Sequence, residues 1–166
     1  MLDKLNIKES VDLYRNKISL KEHTVDDYTN LIILLWNISF DHGVESYCIS
    51  NNVFSENDII NFTIEVEELF NSAFNDYPDN KELEFWKMYI DELNSFSDCL
   101  HREKMISLLD DSRFLLPHFY LKVQCDIVNL SELKKLKSKL LKENDSYKNA
   151  YVLTYLDDIE MFEAKA

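Results

Sequence analysis

The chain has 166 residues, 46% hydrophobic and 30% charged, and its 18 Lys and Arg against 31 Asp and Glu leave a formal net charge of −13. That apolar content excludes a disordered chain, while the negative charge repels nucleic acid and anionic lipid and favours encounter with basic proteins. A single glycine, Gly43, and two prolines, Pro78 and Pro117, exclude glycine-rich phosphate loops and dinucleotide fingerprints and disfavour sheets built on tight turns.

These constraints predict an all-α fold, a single-domain helical bundle of about six to eight helices over residues 1–166. A first helix over 7–19 is marked by Ile7, Val11, Tyr14 and Ile18 at helical spacing. The second begins at Thr24, whose hydroxyl and the carboxylate of Asp27 make a capping box, and Gly43 is expected to stop it in the left-handed conformation. Its apolar residues, Leu31, Ile32, Leu34, Leu35, Trp36, Ile38 and Phe40, cover most of the helix circumference, which predicts a central helix. The stretch after Gly43 reads as a short helix followed by a turn at Asn51-Asn52.

A long helix from Ser55 to about Asn75 places Ile59, Phe62, Val66, Leu69, Phe70 and Ala73 on a core stripe and Asn61, Glu65, Glu68 and Ser72 opposite. Pro78 then intervenes, Asp79 or Asn80 caps the next helix, and Leu83, Trp86, Ile90 and Leu93 fall on one face. Glu84, Lys87 and Asp91 lie on the far face, with Phe85 and Tyr89 on the margin where they are open to view from outside. A helix is expected over 97–109. The run 113–128, interrupted by Pro117, fits a buried strand or a buried helix, and the absence of a nearby partner strand favours the helix. Ser131 is the expected cap of a lysine-rich helix, and Asp145 or Ser146 starts a last one through Ile159 and Phe162.

Charge is uneven along the chain. Residues 54–98 hold twelve acids against Lys81 and Lys87, whereas residues 131–148 hold six lysines against three acids. Those lysines follow the solvated side of an amphipathic helix anchored by Leu133, Leu136 and Leu140, without the arginines and interleaved aromatics of a nucleic-acid patch. His23, His42, His101 and His118 fall in none of the paired patterns that converge on a metal, and the one DxxH, Asp98 with His101, supplies two ligands where a closed site needs three or four. Asp41-His42-Gly43 is accounted for by a cation at a helix C-terminus. No nucleophile has a base beside it in sequence, so neither an enzyme nor a cofactor is expected.

Cys48, Cys99 and Cys125 are odd in number and unpaired in spacing and read as reduced, mostly buried thiols. The N-terminus lacks a signal-peptide core, and the longest charge-free run, 28–40, is shorter than a membrane span. Together these predict a cytoplasmic protein that makes no use of membrane.

The segment EVEELFNSAFNDYPDNKELEFWKMYIDEL, residues 65–93, is acidic and aromatic, with an aromatic-proline turn followed by an EFW-type helix. With the chain's size and charge, it resembles the immunity proteins of bacterial polymorphic toxin systems, including contact-dependent growth inhibition. The resemblance implies a non-catalytic inhibitor that binds one cognate basic toxin, often a nuclease, in the cytosol. The residues expected to meet such a partner are Glu65, Glu68, Asp76, Tyr77, Asp79, Glu82, Glu84, Phe85, Tyr89 and Asp91, the acids for steering and the aromatics as anchors. A nucleic-acid-mimicking anti-defence protein and a helical adaptor or regulatory subunit are the competing readings.

Overall fold

A computed structural model describes residues 6–97, 99–143 and 146–157. Among these there are nine α-helices and no strand, so the all-α class is as expected, with one helix more than anticipated. In chain order they are α1 (Ile7–Ser19), α2 (Val25–Phe40), α3 (His42–Ser50), α4 (Glu56–Asp76), α5 (Lys81–Asn94), α6 (Arg102–Ser107), α7 (Leu116–Cys125), α8 (Leu130–Leu140) and α9 (Tyr147–Leu156). A 3₁₀ turn at Leu108–Asp110 follows α6. No helix among the described residues is long and apolar enough to cross a membrane. The chain contains two compact units, Met1–Leu83 and Glu84–Ala166.

The first unit is organised around α2, which packs against α1, α3 and α4. Its residues from Tyr28 through Trp36 are all buried, as is Ile38. Surrounded in this way, each fully buried aliphatic side chain is worth about 1.5–3 kcal/mol over its exposed form. Both long helices open on a capping box: Thr24 with Asp27, and Ser55 with Asp58. The α4 core stripe, Ile59, Phe62, Val66, Leu69, Phe70 and Ala73, is buried throughout.

In the second unit α7 packs on α6, α8 and α9, and α8 on α9. The ambiguous run 113–128 contains α7, with Pro117 in the first turn, where its missing N–H costs nothing. The helix expected over 97–109 is shorter: α6 begins only at Arg102, after Phe96 and Cys99 at positive φ. The lysine-rich helix α8 is capped by Asn129, whose side chain accepts from the Glu132 amide, and not by Ser131. Ser146 caps α9 through the Asn149 amide, and Ile159 and Phe162 lie outside the described residues.

The helix stops are made without glycine. Gly43 has no positive φ; it sits in the first turn of α3, where its amide donates to the Asp41 side chain at 2.8 Å. A Cβ there would come within 3.1 Å of that Asp41 oxygen. His42 therefore opens a helix instead of closing one. Left-handed backbone occurs at Lys21, Asn52, Asp79, Phe96, Cys99 and Asp126. After α1, α3 and α5 it completes a paired hydrogen-bond closure: Lys21 and Glu22 amides to Ile18 and Lys17 carbonyls, Asn52 and Val53 to Ile49 and Cys48, Phe96 and Ser97 to Leu93 and Glu92.

Candidate functional site

Helix α4 concentrates acidic residues with no cation among them. The helix is 21 residues long and holds six carboxylates, Glu56, Asp58, Glu65, Glu67, Glu68 and Asp76, with no Lys, Arg or His. Glu56, Glu67 and Glu68 are exposed. Two apolar side chains that the core stripe leaves out, Ile60 and Ile64, are 63% and 59% exposed on the same side of the helix. They lie one turn apart, so they adjoin.

Glu65 is committed within the chain. Its two oxygens accept from Arg15 Nε at 2.8 Å and Nη2 at 2.5 Å, and the Arg15 guanidinium lies 5.6 Å over the Phe62 ring. The hydrogen bond to Glu65 raises the Arg15 pKa above its already high ordinary value, against the opposing effect of burial. This pair forms one wall of a cleft of about 350 Å³, lined also by Lys8, Asp12, Val53, Phe54, Asp58 and Asn61. Three carboxylates face two cations there, so the cleft largely neutralises itself.

Asp76, though exposed, and the half-buried Tyr77 also have partners within the chain, His23 and Tyr28. The Tyr28 hydroxyl donates to Asp76 Oδ2 at 2.7 Å, and His23 Nε2 stands 3.4 Å from the same oxygen. Tyr77 donates its one hydroxyl hydrogen to the His23 carbonyl at 2.8 Å, so His23 Nδ1, 3.2 Å from that hydroxyl, carries the proton between them. Burial and then the Asp76 carboxylate push the Tyr28 phenol well up. The cluster ties the end of α4 to the start of α2. These two residues link one helix to another, a role the sequence pattern did not announce.

Of the others expected at a partner surface, Glu68, Asp79 and Glu84 are exposed, Glu82 is half-buried, and Asp91 pairs with Lys87 one turn back on α5. Phe85 and Tyr89 correct the expectation outright, at 0% and 1% exposure. Phe85 meets Phe114 edge-on at 6.1 Å, while Tyr89 packs on Phe119 at 5.4 Å and shares a 2.8 Å hydroxyl contact with Tyr151. Helix α5 is covered on more than the one face its 3-4-3 stripe reveals, so the margin residues are core.

That covering also buries Glu92, which sequence reasoning passed over. It is 0% exposed; Oε2 accepts from the Tyr120 hydroxyl at 2.7 Å and the His101 amide at 3.0 Å, while Oε1 has no protein partner. Burial and Glu92 push the Tyr120 phenol well up, so it stays a donor at any ordinary pH. The contact fastens residue 101 to α7, and nearby Cys99 is bonded to Cys125 at the end of α7, with a Cα–Cα distance of 5.4 Å. This corrects the reading of three reduced thiols: an odd count leaves room for one bridge, and here Cys48 is the free, buried cysteine. Burial pushes the Cys48 thiol up, away from the reactive thiolate.

No group of three or more His, Cys, Asp or Glu able to hold a metal is found among the described residues, and Asp98 of the DxxH lies outside them. On α8, Lys135 pairs with Glu132, Lys137 with Asp157 and Lys139 with Glu143. Comparison with protein families, curated proteins and solved structures finds no match for the chain.

Proposed function

We propose that this chain is an immunity protein: a binding protein, without chemistry of its own, that neutralises a cognate basic nuclease toxin, RNA- or tRNA-cleaving, in the cytoplasm of the cell that makes it. The observation that carries the reading is α4, an ordered 21-residue helix with six carboxylates and no cation, set on the buried scaffold of α2. A nuclease must present a positive cleft to phosphates. A rigid carboxylate face occupies such a cleft in their place and accelerates capture by steering.

The test is direct. The full chain is expressed with the product of the adjoining open reading frame, the complex is isolated, and RNA cleavage by that product is followed with and without the chain. Stoichiometric suppression of cleavage, with association slowing steeply as salt rises, is the expected result. An adjoining product that neither binds nor loses activity sinks the reading.

A further inference from the structure

Carboxylates at high exposure speed encounter, but each retains its hydration and contributes little to holding a complex together. Durable complexes depend on a few apolar anchors that lose water on docking. Of the aromatic residues expected to serve as anchors, Phe85 and Tyr89 are sealed inside the second unit, and Tyr77 is half-buried with its hydroxyl given to the His23 carbonyl.

Helix α4 offers a replacement. Ile60 and Ile64 are more than half exposed, adjoin one another, and add nothing to the buried stripe of their own helix. A β-branched residue on a solvated helix face also forms helix less readily than the Glu, Gln, Lys or Ala that usually fill such positions. Asn57, Asn61, Glu67 and Glu68 surround the pair, all exposed. The pattern is an apolar centre within a rim that accepts hydrogen bonds and attracts cations.

Resting on the immunity reading above, we infer that Ile60 and Ile64 are the docking centre of α4, and that their occupant is a basic protein presenting an apolar socket ringed by Lys or Arg. Charge decides the occupant. A second copy docking face to face sets Glu67 and Glu68 of one chain against the same residues of the other, and an anionic lipid surface is repelled by the exposed Glu56, Glu67 and Glu68.

The probe is the adjoining-frame product with its catalytic residue disabled, immobilised and bound by the full chain. Ile60→Ser with Ile64→Ser raises the dissociation rate by roughly 30-fold with association and salt slope retained. Glu67→Gln with Glu68→Gln instead slows association and flattens its salt dependence. Both pairs of substitutions lie on the solvent side of α4, and unchanged far-UV circular dichroism confirms the fold.

A dissociation rate unmoved by the Ile pair, in a complex that still forms, overturns this inference and leaves the immunity reading standing. Failure of the unaltered chain to bind overturns both. A concentration-dependent dimer of the free chain that the Ile substitutions abolish assigns the face to a second copy and also overturns the inference.

Discussion

Opening the Cys99–Cys125 bond perturbs the second unit in a way that can be worked through quantitatively. The cysteines are 26 residues apart in sequence, and closing a loop of that size removes chain entropy from the unfolded state worth roughly 3.5 kcal/mol at 25 °C. Small units have little stability in reserve, so a loss of that size is a large fraction of the total. Without the bond, the segment carrying Cys99 is held by the Tyr120 hydroxyl and the His101 amide on buried Glu92.

The chain has two tryptophans, Trp36 in the first unit and Trp86 in the second, so Trp36→Phe leaves Trp86 fluorescence as a reporter of the second unit. Urea unfolding of this variant, oxidised and then reduced with dithiothreitol, should show the midpoint falling by roughly 3.5 M, taking a slope of about 1 kcal/mol/M for a unit this small. Cys99→Ser with Cys125→Ser should reproduce the reduced midpoint and ignore dithiothreitol. The denatured oxidised chain should titrate one thiol, Cys48, and the reduced chain three. A midpoint that moves by less than about 0.5 M, or three free thiols in the oxidised preparation, refutes the reasoning. In a reducing cytosol the dithiol would be the working form, and the Glu92 contacts would carry the segment alone.

Lys21→Gly should stabilise the first unit by about 0.5–1 kcal/mol, because Lys21 holds φ at 57°, where a Cβ is unfavourable; thermal unfolding of the two forms decides it. Phe85→Ala, cutting a fully buried ring from the second unit, should cost about 3–5 kcal/mol in denaturant titration, whereas an exposed ring would lose almost nothing. Asp27 is buried; burial alone would raise its pKa, but hydrogen bonds from Lys17 and from the Thr24 amide and hydroxyl outweigh that and hold it below the usual carboxylate value. A depressed folded pKa gives stability that is present above the unfolded value of about 3.9 and lost as pH falls through the folded one, so Asp27→Asn should be weaker by about 1–2 kcal/mol at pH 7 and lose less on acidification to pH 2. Equal acid sensitivity in the two proteins would exclude that assignment.

What was legible in the sequence was local. Thr24 with Asp27 and Ser55 with Asp58 mark helix starts because a cap and its N3 acid lie within one turn of each other, and both boxes form. The α4 stripe was readable because that helix has one buried side, and a single side produces a clear period. Where burial comes from several directions the period misleads. Phe85 and Tyr89 fall beside the α5 stripe, yet rings contributed from residues 114, 119 and 151 enclose them. The buried carboxylate of Glu92 has the same origin, since its hydroxyl donor, Tyr120, is 28 residues away. Gly43 was misplaced for another reason: a lone glycine after a helix suggests a left-handed stop, but Asp41 had already ended α2 and begun α3.

Charge was equally legible in amount and illegible in deployment. Asp76, Glu65 and Asp91 look alike in a string of acids, yet the first receives the Tyr28 hydroxyl, the second the Arg15 guanidinium and the third Lys87. Each of these partners withdraws part of a formal charge from the field a distant molecule feels, and the withdrawal is greatest where both groups are partly dry. The field that remains for steering comes chiefly from exposed carboxylates such as Glu56, Glu68 and Glu84. Two of those three are on α4, the same helix that exposes Ile60 and Ile64. In the proposed complex steering and anchoring would coincide on one helix, and an ordered surface of that kind loses less conformational entropy on docking than a loop does.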